Sequence, residues 1–464
     1  MTVPAAPLRV AIIGSGPSGF YAAEHLQKKL PDVEIDMFDR LPTPYGLVRG
    51  GVAPDHPKIK SVTRIYDRIA AHPGFRFLGN VNIGSGIEHD ELMAHYDAVI
   101  YATGAETDRQ LGIPGEALAG SHAATEFVGW YNGHPDYRDR RFDLSATSAV
   151  VVGMGNVAMD VARILASSMG ELTPTDISQH ALDALRAGKV DTIYVLGRRG
   201  PAQAAFTNPE LKELGELAET DVIVDPREIE LDEHSALQLS GGEDRTAEKN
   251  LHTLQEFAAR KPEGRKRKLV LRFLVSPVEI LGGTCVEGVK LVKNRLVRGS
   301  GNDLKAEATG ETETLPAGLV FRSVGYKGVA VPGVPFDPRA GVIPNVEGRV
   351  LAAPGAPEVL RGVYAVGWIK RGPSGVIGTN KPDSVETADR LLEDLASGAI
   401  TPSPRGKRAE VDQVLRARGV QVVSYADWQK LDALEQAAGK PRGAPREKFT
   451  RVPEMLAAIQ QREQ

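Results

Sequence analysis

The feature that most constrains this chain is a glycine-rich turn that follows directly on a short apolar strand near its beginning. Leu8 to Ile13 has the composition of a buried parallel strand, and Gly14-Ser15-Gly16-Pro17-Ser18-Gly19, a complete GxGxxG, leads into a helical segment. Gly14 permits the tight turn, Gly16 lets a pyrophosphate approach the backbone, and Gly19 lets the helix pack on the strand. The helix N-terminus offers free N–H groups to the phosphates. Strand, turn and helix together predict a dinucleotide-binding βαβ unit, with Gly14, Gly16 and Pro17 among its cofactor-binding residues.

A carboxylate stands where such a unit contacts the ribose. The second predicted strand, Val33 to Phe38, ends in Asp39, twenty residues after Gly19. A carboxylate there accepts hydrogen bonds from ribose hydroxyls and repels a 2′-phosphate. Asp39 therefore predicts a dinucleotide that lacks the 2′-phosphate.

A second fingerprint near the middle of the chain has the opposite ribose chemistry. The apolar run Ser148 to Val152 leads into Gly153-Met154-Gly155-Asn156-Val157-Ala158, which is GxGxxA. The strand Asp191 to Leu196 ends in Gly197-Arg198-Arg199 without an acid, and two guanidiniums suit a 2′-phosphate because their planar donors match its oxygens. The alternative is that both arginines form a solvated turn. The long spacing predicts that residues 169–189 are an insertion that loops out. The two fingerprints predict two dinucleotides, FAD at the first site and NADP at the second.

Composition and charge exclude several classes of protein. At 464 residues the chain is long enough for two or three domains, and a net charge of −4 argues against a general nucleic-acid binder. The single cysteine, Cys285, excludes an internal disulfide, a CxxC redox pair, a cysteine-rich zinc site and an iron–sulfur cluster held by this chain alone. No apolar stretch approaches the ~20 residues of a membrane-spanning helix. We expect a cytoplasmic enzyme.

Longer motifs extend over most of the chain. They are Thr43-Pro44-Tyr45-Gly46-Leu47-Val48-Arg49, Gly51-Val52-Ala53-Pro54-Asp55-His56-Pro57, Gly112-Ile113-Pro114-Gly115, Gly155-Asn156-Val157-Ala158-Met159-Asp160, Gln203-Ala204-Ala205-Phe206-Thr207 and the stretch from Gly367 to Asn380. With these motifs the chain resembles the adrenodoxin-reductase branch of the ferredoxin–NADP reductases, which is related to the glutathione-reductase superfamily. The resemblance covers residues 8 to about 400, and the tail around Trp428 is similar as well. Trp368 stands where the wider superfamily has Asp, a replacement that is expected in this branch.

The resemblance implies an α/β fold of two Rossmann-like dinucleotide-binding domains, with the NADP domain inserted into a discontinuous FAD domain. The implied division is residues 1–105 and 320–400 for the FAD domain, 106–319 for the NADP domain and 401–464 for a C-terminal helical extension. Two apolar runs that end at glycine, Ala98 to Gly104 and Gly362 to Gly367, support this division because each suits the carboxyl end of a strand in a doubly wound sheet. The tail begins with a linker signal, Thr401 to Gly406, and is predicted to form two short helices split at residues 439–444.

The resemblance also implies a reaction and the residues that take part in it. NADPH would deliver a hydride to FAD, and electrons would then pass one at a time to a ferredoxin-type iron–sulfur protein. The residues that would line FAD are Ser18, Asp39, Leu47, Val81, Trp368, Gly375, Val376 and Ile377. The residues that would hold NADPH are Met154, Gly155, Asn156, Val157, Arg198, Arg199, Glu210 and Gly375.

Two titratable residues resemble a family pair at the edge where nicotinamide and flavin meet. His56 titrates near neutral pH and would manage a proton, and Glu213 would pair with it or orient the carboxamide. Each has a simpler alternative. His56 lies between Asp55 and Pro57, where a capping or turn residue is common, and Glu213 lies in an amphipathic helical stretch with exposed acids.

A basic cluster predicts where an acidic ferredoxin docks. The cluster consists of Arg260, Lys261, Arg265, Lys266, Arg267 and Lys268, preceded on a predicted helix by Arg245 and Lys249. A positive patch on a chain of negative net charge would steer an acidic partner and raise the rate of association. The alternative is a solvated loop before a strand. The resemblance further implies a monomer.

Three other functions fit parts of the pattern less well. A flavin monooxygenase also carries two dinucleotide fingerprints, but nothing further in the sequence is typical of its substrate channel. The electron-input subunit of a larger complex, such as glutamate synthase, would need N-terminal cluster cysteines, and the chain has one cysteine in all. An FAD-binding redox sensor is difficult to reconcile with a complete NADP site.

Overall fold

The computed structural model describes residues 6–241, 244–299, 304–402 and 408–461 and has strands where the sequence has its short apolar runs. The strands are β1 (Arg9–Ile13), β2 (Glu34–Phe38), β3 (Phe75–Leu78), β4 (Ala98–Tyr101), β5 (Thr107–Asp108), β6 (Ser121–Ala123), β7 (Ser148–Val152), β8 (Thr192–Leu196), β9 (Thr220–Val224), β10 (Arg267–Arg272), β11 (Val275–Leu281), β12 (Gly288–Arg298), β13 (Leu304–Pro316), β14 (Leu319–Arg322), β15 (Tyr326–Lys327), β16 (Asn345–Val346), β17 (Arg349–Leu351) and β18 (Val359–Ala365). The α-helices are α1 (Pro17–Lys29), α2 (Leu47–Gly50), α3 (Pro57–Lys60), α4 (Thr63–Ala70), α5 (His89–His95), α6 (Ala124–Tyr131), α7 (Asn156–Ala166), α8 (Met169–Leu172), α9 (Gln179–Ala187), α10 (Asn208–Leu214), α11 (Glu233–Ser240), α12 (Arg245–Ala259), α13 (Trp368–Arg371), α14 (Asn380–Ala396), α15 (Arg408–Ala417), α16 (Tyr425–Gly439) and α17 (Val452–Gln460).

The first sheet has seven strands in the order β16-β17-β18-β4-β1-β2-β3. The five strands from β18 to β3 are parallel, and β17 and β16 extend the sheet in antiparallel fashion. Successive side chains of β1 point to opposite faces, so that Val10 and Ile12 pack with α1 in one core cluster and Ala11 and Ile13 pack in another. Both faces are covered, which is why the central strands are apolar throughout. This sheet combines strands from the two ends of the chain.

The second sheet has six parallel strands in the order β6-β14-β7-β8-β10-β9. A three-stranded antiparallel sheet of β11, β12 and β13 branches from it, and β5 pairs with β15 where the chain passes from one large sheet to the other and back. Two parallel, helix-covered sheets, the first of them discontinuous in sequence, confirm the predicted fold class. No helix in the described ranges is both long and apolar enough to cross a membrane.

One predicted boundary is wrong by a few residues. The sequence division places residue 320 at the return to the first domain, but β14 pairs with β6 and β7 in the second sheet. Arg322, the last residue of β14, therefore still belongs to the second sheet, and the chain returns only after it. The sequence division relied on apolar runs that end at glycine, and these runs do not show to which sheet β14 belongs.

The insertion and the tail are more structured than the sequence predicts. Residues 169–189 contain α8 and α9, and His180 at the start of α9 contacts the ring of Trp130 in α6. In the described part of the tail, residues 401–402 and 408–461, there are three α-helices, α15 to α17, where two were expected, and they pack on both clusters of the first sheet through residues such as Leu415 and Trp428. Residues 403–406 of the predicted linker lie outside the described residues.

Candidate active site

The loops that follow the parallel strands of the first sheet gather at one edge. Parallel strands end at a common edge, and ligands of doubly wound sheets bind there. The residues in these loops are Gly14 after β1, Asp39 after β2, Val81 after β3, Thr103 after β4 and Trp368 after β18. Four of the five are predicted FAD residues, and the topology brings them to one edge of the sheet from positions far apart in the sequence.

The geometry of the first glycine loop fits a pyrophosphate. Gly14 has a φ of +107°, and a Cβ there would overlap the carbonyl oxygen of Ala102. Gly16 adopts an extended conformation that any residue tolerates, and a Cβ there would meet no heavy atom within 4 Å. The helix begins at Pro17, whose missing N–H costs nothing at this position. Gly14 is thus required by the protein's own packing, whereas the space above Gly16 is open to a ligand.

Asp39 is held firmly at the end of β2. Its Oδ2 accepts hydrogen bonds from the Ser15 amide at 3.1 Å and the Ser15 hydroxyl at 2.5 Å, and its Oδ1 accepts from the Leu41 amide at 2.9 Å. Burial raises the pKa of Asp39, while these three donors oppose the rise. Val81 is tied to the same turn because its amide donates to the Asp39 carbonyl at 2.9 Å. The carboxylate therefore joins the glycine loop to the strand end where a ribose would lie.

Apolar side chains near this edge are exposed in a way that suits a flavin ring. Leu47 is 37% exposed and Val376 is 52% exposed, so both present apolar surface to a bound ring. The turn that carries Val376 is closed by the Trp368 indole, whose Nε1 donates to the Ser374 carbonyl at 3.1 Å. Gly375 has a φ of +80° in the same turn. Ile377 follows it and begins the short 3₁₀ helix that leads into α14.

Two further contacts bring the remaining residues of the first site together. A Cβ at Gly367 would overlap the hydroxyl of Ser18, so the first turn of α1 lies directly against the residue that precedes Trp368. The hydroxyl oxygen of Thr103 is buried without a hydrogen-bond partner among the described residues, beside the loop of Gly14. A buried polar atom without a partner in this position fits a site that a polar ligand completes.

The second glycine loop repeats the geometry of the first. Gly153 has a φ of +136°, and a Cβ there would overlap the carbonyl oxygen of Ser323. Gly155 is extended, and a Cβ there would meet no heavy atom within 4 Å. The loop is anchored on its other side, because the Met154 carbonyl accepts from the Ala205 amide and the Asn156 side chain accepts from the Thr207 amide, each at 2.8 Å. Val157 packs against the core below the loop.

The two predicted arginines follow β8 beside this loop. A Cβ at Gly197 would lie 2.7 Å from the Cγ of Met154, so the turn that carries Arg198 touches the glycine loop. Arg198 is exposed, while the guanidinium of Arg199 donates to the Gln203 carbonyl at 3.4 Å. The backbone of Arg198 is fixed, since its carbonyl accepts from the Asn294 amide group at 2.9 Å. The turn is thus fixed at its backbone and exposes the Arg198 side chain to solvent beside the glycine loop.

The carboxyl edges of the two sheets face each other. Ser323, which touches Gly153, lies three residues before Tyr326, and the Tyr326 ring lies 5.3 Å from the Trp368 ring between centroids. The loops of both fingerprints thus border one cleft.

His56 and Glu213 meet across this cleft. The Nε2 of His56 lies 2.8 Å from the Oε2 of Glu213, and 3.7 Å from the Oε2 of Glu210. His56 follows α2 in the first unit, whereas both glutamates lie in α10 of the second unit. Glu213 is half-buried in this contact and is therefore not the freely exposed acid that an amphipathic helix alone would predict.

Arg163 completes the cluster and was missed by sequence reasoning. Its guanidinium is 3% exposed and contacts Asp55 at 2.6 Å, Asp160 at 2.7 Å, Glu210 at 3.3 Å and Glu213 at 3.5 Å. The signal that was available is an arginine in the largely apolar second half of α7, three residues after Asp160. A buried guanidinium requires several acids around it, so this arginine indicates where acids from distant segments converge.

Burial and the close contacts in the cluster shift the pKa values of its members in different directions. Burial lowers the pKa of His56, but its hydrogen bond to Glu213 and the nearby carboxylates outweigh this effect, so the pKa is raised. The same hydrogen bond lowers the pKa of Glu213. Burial and repulsion from Asp160 raise the pKa of Glu210 to about 7. The cleft thus contains a hydrogen-bonded histidine–carboxylate pair beside a carboxyl group whose pKa is raised to about 7.

The predicted docking cluster lies at the far edge of the second sheet. Arg267 and Lys268 pair with the first residues of β9 and β8, so they stand at the amino edge, and the six residues of β10 separate them from the carboxyl edge by about 17 Å. Arg267 is buried beside Glu219, and Arg265 contacts Glu263 at 2.9 Å. Two of the four cations at residues 265–268 thus pair with acids of this chain, and the segment lies at the edge of the sheet away from the cleft. The reason is that β10 runs parallel to β8 and β9 and begins with Arg267 and Lys268, a pairing that the sequence does not reveal.

The pair that precedes the cluster lies elsewhere. Arg245 and Lys249 are exposed in the first half of α12, which packs on the segment after Arg199 through Ala202 and Phe206. They are therefore near the carboxyl edge of the second sheet, whereas Arg260 and Lys261 follow the end of α12.

Comparison with known proteins agrees with this architecture. The sequence profile of the pyridine nucleotide-disulphide oxidoreductase family matches residues 8–191. The NADPH-ferredoxin reductase FprA of Mycobacterium tuberculosis is 48% identical over 461 residues, which cover 97% of this chain and 98% of FprA. The mitochondrial NADPH:adrenodoxin oxidoreductase of Salvelinus fontinalis is 43% identical over 468 residues, 98% of this chain and 92% of that protein. The structure of Mycobacterium tuberculosis FprA in complex with NADPH superposes with a TM-score of 0.92 at 47% identity, covering 98% of this chain and 99% of FprA.

Proposed function

This chain belongs to the family of NADPH-ferredoxin reductases that includes the adrenodoxin reductases, and we propose that it carries electrons from NADPH through FAD to a ferredoxin-type iron–sulfur protein. The observation that carries the proposal is the likeness to FprA at 48% identity along 97% of the chain. Its chemistry needs no cysteine pair, in agreement with the single, exposed Cys285.

Each nucleotide is assigned to one of the two sheets. FAD belongs to the unit of residues 1–105 and 323–400, whose glycine loop carries Asp39, and NADPH to the unit of residues 106–322, whose second strand ends in Arg198 and Arg199. Residues 401–464 form the tail. The open space above Gly16 and above Gly155 supports a pyrophosphate at each loop.

The chain's own residues position the reactants and handle the proton. FAD, when bound, accepts a hydride and releases its two electrons singly, which matches a two-electron donor to a one-electron acceptor. The Nε2 of His56 is held by Glu213 at 2.8 Å in a contact that raises the pKa of His56, and Glu210, whose pKa is raised to about 7, lies 3.7 Å from the same nitrogen. Together these groups take up or release a proton at the His56 Nε2 while Arg163 keeps the acids in place.

The function is tested with the purified FAD-bound protein. Anaerobic mixing with NADPH should bleach the flavin absorbance, and reduction of cytochrome c should rise several-fold when a ferredoxin is added. A protein that does not turn over NADPH would be a redox sensor, and one that couples NADPH oxidation to an organic substrate would be a monooxygenase. Either result would contradict the proposal.

The partner surface is placed at the mouth of the cleft. An acidic ferredoxin must bring its cluster near the flavin, and exposed cations there would steer it. Lys58 lies two residues after His56, and Lys212 lies beside Glu213; both are exposed. With Arg245 and Lys249 they form the surface that we propose, in a monomeric cytoplasmic protein.

Two double variants separate this surface from the amino-edge cluster. Replacing Lys58 and Lys212 by Ser should slow ferredoxin reduction roughly tenfold at low salt, with a smaller loss as salt is raised. Ferricyanide reduction by NADPH should not change. The matched control, Lys266→Ser with Lys268→Ser, removes two exposed charges at the far edge and should have no effect. Loss of ferredoxin reduction in the control alone would contradict the proposed surface and indicate that ferredoxin docks at the amino edge.

A further inference from the structure

The tail connects the two units of the protein. Its first part packs on the first unit, where the Tyr425 hydroxyl donates to Asp67 at 2.6 Å. Its last part reaches the second unit, where Arg442 donates to the Ile177 carbonyl at 2.6 Å and Glu447 accepts from the Gln179 amide at 3.1 Å. The tail therefore spans the boundary between the units on the side of α8 and α9.

A buried charge triad lies at the centre of this connection. Asp176, which lies between α8 and α9, is 4% exposed, and its Oδ1 lies 2.5 Å from the Nζ of Lys60 while its Oδ2 lies 3.2 Å from the Nζ of Lys448. Lys60 belongs to the first unit, Asp176 to the second and Lys448 to the tail. Lys448, itself 4% exposed, also donates to the Arg49 carbonyl at 3.3 Å and the Asn132 side chain at 3.4 Å. One carboxylate thus joins three separate parts of the chain.

The triad acts on the segment that carries His56. Lys60 ends the short helix α3, which starts directly after His56, and the Lys60 amide donates to the His56 carbonyl at 3.3 Å. His56 in turn contacts Glu213 of the second unit. The same short segment is therefore tied to the second unit at both of its ends, by His56 at the cleft and by Lys60 at the triad.

The burial of the triad makes it sensitive to the loss of one member. Burial raises the pKa of Asp176, but the two ammonium groups outweigh this effect and hold the pKa below its usual range. Removing Lys448 leaves Lys60 as the one cation among the described residues that contacts the buried carboxylate and takes away the contact of the tail with Asp176, so the surrounding segments lose one of the anchors that hold them together. Removing one member of an exposed ion pair has little effect on the surrounding structure, because water replaces the missing partner.

We propose that Asp176 and Lys448 are positioning residues for hydride transfer: together with Lys60 they fix the His56 segment against the NADP-binding unit. This inference rests on the proposed function. Neither residue touches a predicted nucleotide residue in the described contacts, so both act through the relative placement of the two units. A displacement of about 1 Å between reacting groups lowers a rate by up to about 100-fold, so a small rotation of one unit is sufficient.

The test uses Lys448→Met, which keeps the length of the side chain and removes its charge. In the FAD-bound protein, the rate of flavin reduction at saturating NADPH should fall about tenfold, while the dissociation constant of NADPH and the FAD content stay within about threefold. Lys448→Arg, which restores a cation opposite Asp176, should recover most of the rate. Without NADPH, hydrogen exchange of residues 57–60 and 173–178 should be faster in Lys448→Met than in wild type.

The control is Arg451→Gln at the same interface. Arg451 pairs with Asp139 at 2.5 Å, but the two side chains are 43% and 70% exposed, so neither the reduction rate nor the exchange should change. Asp176→Asn, measured in parallel, should behave as Lys448→Met does and keeps the test decisive if the latter does not fold.

Three results would overturn the proposal. They are a wild-type reduction rate in Lys448→Met, an equal loss in Arg451→Gln, and a loss confined to NADPH affinity. Failure of wild type itself to be reduced by NADPH would instead refute the proposed function, while the hydrogen-exchange comparison would still test the triad.

Discussion

The two open glycines give the sharpest test of the nucleotide sites, and Gly155→Ala isolates one of them. Gly155 has φ −107° and ψ 174°, which alanine adopts freely, and its added methyl would meet no protein atom within 4 Å. The stability of the folded protein without nucleotide should therefore not change. Binding of a dinucleotide should be weakened, because the methyl group lies where the pyrophosphate must approach the first turn of α7.

The expected size follows from the hydrogen bonds that are lost. If the methyl separates the phosphates from two backbone N–H groups, each charge-assisted bond contributes about 1.5 kcal/mol, and the sum of about 3 kcal/mol raises the dissociation constant of NADPH roughly 150-fold. The assay is a titration of FAD-bound protein with NADPH, together with a thermal melt. FAD content and melting temperature should remain those of wild type.

Gly153→Ala is the matched control two residues earlier. Gly153 has a φ of +136°, and a Cβ there would overlap the Ser323 carbonyl, so this variant should lose stability before any nucleotide is added. A dissociation constant for NADPH within threefold of wild type in Gly155→Ala would refute the assignment of the second site. Equal destabilisation by both alanines would show that the loop is a packing feature and not a ligand site.

Three further predictions concern the cofactors and the charge cluster. Denatured protein should release FAD and not FMN, as judged by chromatography of the supernatant, because Asp39 stands at a ribose; recovery of FMN would contradict this. Arg198→Ala with Arg199→Ala should raise KM for NADPH far more than for NADH, by on the order of 1.5–3 kcal/mol per lost contact, and unchanged discrimination between the two would place the 2′-phosphate elsewhere. The pKa of Glu210 is raised to about 7 in the folded protein. Between about pH 4.5 and 7 the folded state therefore binds a proton that the unfolded state has lost, and the free energy of unfolding falls as pH rises through this window. Glu210→Gln should remove about 2–3 kcal/mol of that fall in urea denaturation at pH 5 and 8, and a parallel decline in both proteins would show that Glu210 is not its source.

Features that depend on neighbouring residues could be predicted from the sequence. The glycine loops, the strands before them and Asp39 lie within one βαβ unit, so spacing alone places them, and the structure has these strands within a residue of the expectation. The contact of His56 with Glu213 came from a family likeness, since nothing local relates two residues 157 positions apart. Spacing within one βαβ unit cannot predict a contact between residues so far apart in the sequence.

Features that depend on the pairing of distant strands or on buried charge could not be predicted. The run that ends in Lys268 looks like a surface patch, but the parallel pairing of β10 turns it away from the cleft. Arg163 looks like one arginine among many until four acids from three segments converge on it. Asp176 lies in a segment expected to loop out, and only the folded chain shows that Lys60 and Lys448 enclose it.

The order of strands in the first sheet also determines when that sheet can close during synthesis. β4 pairs with β18, and the complete second sheet is encoded between them, so the ribosome delivers every strand of the second sheet first. Until β18 emerges, β4 is an open edge whose four residues, Ala98 to Tyr101, have no exposed surface in the finished protein. Open apolar edges pair with other chains, and a nascent chain of this kind is most vulnerable while its C-terminal third is still being made. Premature termination in that third therefore leaves β4 without its partner strand, which favours aggregation of the fragment over formation of a small flavin-binding domain.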